Sequence, residues 1–231
     1  MDGVRTRVET PAATRAKTRL LKKYEAAPEP RGSAPGDPPF DLYTPFGPTI
    51  VRTDAPPDLV DRINRYADKI VGSTPGAEFL LPKELVLEGG ERSLARQTES
   101  LIRRYLPLID EPAASRIMID FFWVVSQGAG SPSPMHFHSG DISGVLYLKV
   151  PALEREDDEI QKTYISGRQA GYINFLTGGK QRFSKSLVSF KPRVGDFYIF
   201  PGWLLHGAEP FRGTGERRSL AFNAFVDAAE D

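Results

Sequence analysis

The chain contains only three histidines, and they fall in two short segments. His136 and His138 form an H-x-H pair in Pro134-Met135-His136-Phe137-His138, and His206 stands alone in Phe200-Pro201-Gly202-Trp203-Leu204-Leu205-His206-Gly207. Imidazole binds borderline metals and titrates near neutrality, so this distribution points to one metal site assembled from two distant segments. If His136 and His138 lie on a strand, its period of two puts both on one face, where they take two cis positions on one ion. His206 is the remaining candidate for a third nitrogen. Three neutral nitrogens suit iron, zinc, nickel or copper. Asp141, three residues beyond His138, offers a carboxylate on the same loop.

A second constellation follows. Arg217 and Ser219 lie two apart in Glu216-Arg217-Arg218-Ser219-Leu220, so on a strand they share a face. A guanidinium fork beside a hydroxyl suits a carboxylate, with two charge-assisted bonds from the fork and a third from the hydroxyl. Arg218 is expected to point the other way, to solvent.

These residues need a scaffold. At 231 residues, with 40% apolar and 26% charged, the chain can bury one sizeable core. Lys plus Arg and Asp plus Glu balance at 30 each, which argues against a general nucleic-acid binder. The absence of cysteine removes a disulfide framework and thiolate metal sites, and fits a cytoplasmic enzyme. No apolar run approaches the roughly 20 residues of a membrane span. Residues 1–40 read as a flexible basic and Pro/Gly-rich segment, and residues 41–231 as one globular domain. Helical spacing predicts helices over Pro57–Val71 and Glu91–Leu106. Short runs at Thr49–Arg52, Ile117–Val125, Ile142–Val150, Gly171–Leu176, Ser186–Phe190, Asp196–Phe200 and Leu220–Val226 predict strands. Their spacing fits an antiparallel sandwich or barrel under an N-terminal helical layer.

The order His136-x-His138, Ser143-Gly144-Val145-Leu146-Tyr147, Phe200-Pro201-x-Trp203-x-x-His206, Arg217-x-Ser219 and Phe222-Asn223 resembles the iron(II)/2-oxoglutarate-dependent oxygenases. More narrowly it is similar to a bacterial and phage branch with an H-x-H near an S-G-V-x-Y strand. The resemblance covers Leu42 to Val226 and implies a double-stranded β-helix, a cupin-like jelly-roll barrel with iron(II) near its mouth. It implies that Arg217 and Ser219, with help from Tyr147, hold the distal carboxylate of 2-oxoglutarate. It also implies oxygenation, by default hydroxylation of an unactivated C–H in a small-molecule or peptide-like substrate, with dioxygen consumed. The branch usually has an asparagine near Val125, which is absent here, and the wider superfamily has a carboxylate where His138 stands.

Three ligand sets therefore remain open. They are three histidines, Asp141 with His206 and one member of the pair, or an H-x-G arrangement at His138-Ser139-Gly140 as in halogenases. Trp123 and Trp203, with Phe121 and Phe122, are candidates for an apolar substrate wall. Leu153–Gly167 is expected to be a lid, and Gly179-Lys180-Gln181-Arg182 with Lys185 a small anion-binding cluster. The rival classes are a cupin-type dioxygenase or isomerase without 2-oxoglutarate and a non-catalytic jelly-roll binding module.

Overall fold

The computed structural model describes residues 40–43, 47–73, 75–109, 111, 114–153, 170–179, 182 and 185–228. The tail expected over residues 1–40, apart from Phe40, and the lid expected over Leu153–Gly167, apart from Leu153, lie outside them. So do two members of the basic cluster, Lys180 and Gln181.

Strand β1 (Phe40–Tyr43) and β2 (Ile50–Asp54) lead into helix α1 (Pro57–Val71). Pro57 opens the helix, where a missing N–H costs nothing, and Asp58 in the first turn meets the positive end of its dipole. Gly72, at φ 60°, ends it. After β3 (Glu78–Leu80) and the short helix α2 (Lys83–Leu87) comes α3 (Leu94–Tyr105). The single helix expected over Glu91–Leu106 is broken at its start. Gly89 and Gly90 have φ of 99° and 58°, so residues Gly90–Arg92 form only a 3-10 turn, and Ser93 caps α3 by accepting from the Arg96 amide.

The remaining strands are β4 (Ala114–Gln127), β5 (Ser133–His136), β6 (Ile142–Lys149), β7 (Ala152–Leu153), β8 (Ile173–Leu176), β9 (Leu187–Phe190), β10 (Asp196–Pro201), β11 (Leu205–Ala208), β12 (Gly213–Thr214) and β13 (Arg217–Ala228). A seven-stranded sheet runs β1-β2-β10-β6-β13-β4-β3, and a four-stranded sheet runs β5-β11-β8-β9. Every pairing is antiparallel, as the strand spacing predicted. The two sheets form the jelly roll.

Strand alternation sorts the large sheet into two faces. Val51, Phe122, Val124, Leu146, Leu148, Phe197, Ile199, Leu220 and Phe222 pack against Leu59, Val60 and Ile63 of α1 and Leu101, Ile102 and Tyr105 of α3. The opposite face turns Tyr147, Tyr198 and Phe200 into the barrel, against Ile173 and Phe175 of the small sheet. Tyr105 crosses the helical layer and donates its hydroxyl to the Thr49 carbonyl at 2.9 Å. Among the described residues no helix is long and apolar enough to cross a membrane.

Arg218 does point away from Arg217, but not to solvent. The helical layer covers that face, and Arg218 is fully buried. Its Nε and Nη2 donate to the two oxygens of Glu216 at 2.6 and 2.9 Å, and Nη1 donates to Asp68 on α1 at 2.8 Å. Lys149 joins both carboxylates, at 2.7 Å to Asp68 and 3.4 Å to Glu216. Burial pushes the Glu216 carboxyl up, but Arg218, Ser126 and Lys149 together bring it below the ordinary value. Hydrogen bonding from Lys149, aided by Arg218, outweighs burial and holds Asp68 low as well.

This cluster ties α1 to β13, and removing one partner strands a buried charge. Glu216→Ala is expected to lower unfolding stability by about 3 kcal/mol in urea titrations. Because both carboxyls titrate below their unfolded values, their contribution is full above the unfolded carboxylate pKa of about 4.3 and is lost as pH falls through the folded values. The urea midpoint of the native chain should therefore fall more steeply below about pH 5 than that of Glu216→Gln.

Candidate metal and anion site

Three cross-strand pairs build the site. His136 and His206 are directly opposed on β5 and β11. Tyr147 faces Ser219 across β6 and β13, and Gln127 faces Arg217 across β4 and β13. All six residues, with His138, Trp123 and Val125, line one chamber of about 80 Å³ inside the barrel. A larger cleft, of about 990 Å³, lies between α3 and the β2–α1 turn and contains none of them.

The histidine pair does not sit on one strand as expected. β5 ends at His136, and His138 lies beyond it, its amide donating to the Gly202 carbonyl at 2.9 Å. The imidazoles converge nonetheless, with ring centroids 4.9 Å apart for His136–His138, 4.5 Å for His136–His206 and 5.1 Å for His138–His206. One ligand atom from each lies within 4.8 Å of the others. Two tethers set the tautomers. His136 Nδ1–H donates to the Pro134 carbonyl at 2.7 Å, and His206 Nδ1–H donates to the Leu204 carbonyl at 2.8 Å. Each bond occupies Nδ1 and leaves Nε2 as the nitrogen with a free lone pair.

Burial, with a smaller contribution from His136, lowers the His138 pKa to about 4. Burial likewise lowers His206 to about 3, against the raising effect of its Leu204 bond. Both rings are thus neutral at pH 7, the state a ligand requires.

Two glycines make the loops fit. A Cβ on Gly202 would collide with the Gly140 carbonyl oxygen, and one on Gly207 would come within 2.7 Å of the Ser133 carbonyl oxygen. Gly207 therefore lets β5 lie close enough to β11 for His136 to reach His206.

Asp141 stays out of the group. Its carboxylate accepts from the Val226 amide at 2.9 Å and its carbonyl accepts from Gly202, so it fastens the loop to β13. Among the described residues, His136, His138 and His206 are the set placed to hold a metal.

Arg217 is only 2% exposed. Its Nε and Nη2 both donate to Gln127 Oε1, at 3.0 and 2.8 Å, Nη1 to the Glu209 carbonyl at 2.6 Å and Nη2 to the Ser131 carbonyl at 3.3 Å. All of these acceptors are neutral. Among the described residues no carboxylate forms an ion pair with Arg217, whereas its neighbour Arg218 has two. Burial pulls the guanidinium pKa down, and Tyr147 and Glu209 oppose that. Burial pushes the Tyr147 phenol above its ordinary value, so it keeps its proton and can donate.

Gln127 escaped the sequence reading, although it continues the alternation Phe121, Trp123, Val125 onto the same face. Trp123 lines the chamber and stands edge-on to His138 at 5.6 Å. Trp203 is 57% exposed and lines neither the chamber nor the groove outside it. Phe122 faces the helices, as plain core.

Residues 121–223 match the family described as "Putative 2OG-Fe(II) oxygenase". Iron(II) is that family's metal and 2-oxoglutarate its cosubstrate. No curated protein matches the chain. Among solved structures, HygX from Streptomyces hygroscopicus, with nickel and 2-oxoglutarate bound, has 13% identity and a TM-score of 0.50, covering 78% of this chain and 83% of that one. The viral collagen prolyl hydroxylase vCPH from Paramecium Bursaria Chlorella virus-1 has 16% identity and a TM-score of 0.50, covering 78% and 90%. These likenesses show a shared fold.

Both groups fit what the chain supplies. Three convergent imidazoles suit a divalent iron, and a buried cation met only by neutral oxygens suits a carboxylate. Gly207→Ala is expected to force β5 away from β11, costing about 1–3 kcal/mol of stability in thermal unfolding. It should also reduce cobalt(II) uptake by the apoprotein, read from the visible spectrum.

Proposed function

We propose that the chain is an iron(II)-, 2-oxoglutarate- and dioxygen-dependent hydroxylase of an unactivated C–H bond in a small-molecule substrate. The observation that carries this reading is the convergence of His136, His138 and His206 with Arg217, Ser219 and Tyr147 on one chamber. An Asp141-containing set is disfavoured by its bond to β13. A 2-oxoglutarate-independent cupin would have no need of the buried Arg217.

His136, His138 and His206 would hold the metal through Nε2. Arg217, the Ser219 hydroxyl and the Tyr147 phenol would hold the distal carboxylate, and Gln127 would keep the guanidinium aimed at it. When bound, iron and 2-oxoglutarate supply the oxidation: dioxygen and the oxoacid are converted to succinate and carbon dioxide as the C–H gains a hydroxyl. The chain's share is orientation and exclusion of water. Tyr147 and Arg217 are buried, so the carboxylate would exchange water for fixed donors, and Trp123 would screen the His138 side of the metal.

The test is anaerobic titration of the iron-loaded chain with 2-oxoglutarate, followed by its visible charge-transfer band. Arg217→Ala should weaken that binding by roughly 10- to 100-fold, the worth of charge-assisted bonds at about 1.5–3 kcal/mol. It should leave iron content unchanged. His206→Ala should abolish stoichiometric iron, whereas Asp141→Asn should retain it. An unaltered band in Arg217→Ala would sink the assignment of the oxoacid cradle. Gln127→Ala should fall between the native chain and Arg217→Ala.

A further inference from the structure

The chamber opens outward into a groove of about 640 Å³. The two cavities share Trp123, Val125, Gln127, Ser133, His136 and His138. One wall of the groove is a descending run of apolar side chains. Leu80 on β3 stands opposite Trp123 on β4, and the Phe121 and Trp123 rings lie 5.3 Å apart. Trp123 then meets His138 edge-on, so the wall ends at the imidazoles. Leu80 is 60% and Phe121 43% exposed. Folding leaves them uncovered where they lead to the site.

Charge is the second observation. Among the described residues lining the groove, none is lysine or arginine, and Glu78 is the single carboxylate. An anionic group entering here would lose hydration, find no cation among the described lining residues and meet Glu78. The neutral polar groups Ser133 and Asn223 offer hydrogen bonds instead. The volume lies within the roughly 300–1,000 Å³ usual for small-molecule sites.

We propose that this groove selects a neutral small molecule with an apolar, ring-sized body, and that its inner end lies beside Trp123 and His138. That this molecule is the hydroxylation substrate rests on the function proposed above; the selectivity of the groove does not. Phosphorylated, sulfated and carboxylated compounds are excluded from the portion that enters.

The test compares two fluorescent probes of similar ring size, neutral N-phenyl-1-naphthylamine and anionic 1-anilinonaphthalene-8-sulfonate. It uses the full chain carrying Trp203→Phe, so that Trp123 is the remaining tryptophan. The neutral probe is expected to quench Trp123 at one equivalent per chain, and the anionic probe to bind at least tenfold more weakly. Leu80→Lys should weaken the neutral probe at least fivefold and strengthen the anionic one. Phe121→Ser should weaken the neutral probe alone. Both positions are solvent-facing, and circular dichroism confirms their fold. Absence of quenching, equal affinity for the two probes, or unchanged affinities in both variants would overturn the proposal. A chain that binds the neutral probe as expected but shows no anaerobic 2-oxoglutarate band would lose the oxygenase assignment and keep the groove. The reverse result would remove the groove's selectivity alone.

Discussion

Two buried arginines, adjacent on one strand and solved differently, are the constraint around which this barrel is arranged. A buried guanidinium must recover its lost hydration from acceptors held in place. Arg218 recovers it from Glu216 and Asp68, and the recovery locks α1 onto the large sheet. Arg217 receives only carbonyl and amide oxygens. The first arrangement is closed and structural. The second leaves a positive field in a small chamber, where a dicarboxylate end is the natural complement. The helical layer and the interior chamber are thus organised by the same two residues of β13.

The imidazoles obey a comparable logic. They are held by backbone geometry rather than by acidic partners. Carbonyl tethers two residues back orient His136 and His206, and burial keeps His138 and His206 uncharged. Close approach of β5 to β11 then brings the donors together, and Gly207 beside His206 permits it. The outer groove depends on this framework in turn, because its apolar wall is the continuation of β4 beyond the chamber.

Much of this was legible in the sequence. The rationed histidines, the Arg217-x-Ser219 spacing and the alternating runs carried the site and the antiparallel barrel, since each depends on local periodicity. What was not legible depends on contacts across the fold. Arg218 reads as a solvent-facing residue until α1 is known to cover its face. Asp141 reads as a ligand until β13 offers it the Val226 amide. The break before α3 lay in Gly89 and Gly90, where the apolar spacing outweighed the turn signal. Gln127 needed its cross-strand partner to acquire a meaning, and Trp203 resembled a wall residue only by proximity in the chain to His206.

The alternation of β13 has a consequence for how such a chain can diversify. Leu220 and Phe222 answer to the helices, while Arg217, Ser219 and Ala221 answer to the chamber. Outer-face positions can be rebuilt along with α1 and α3 without altering the chemistry, and inner-face positions can be retuned without refolding the helical layer. The Arg217–Arg218 step is where this independence ends. There one face's charge neutralisation fixes the strand that aims the other's, so innovation has its freedom further along the strand, towards the groove.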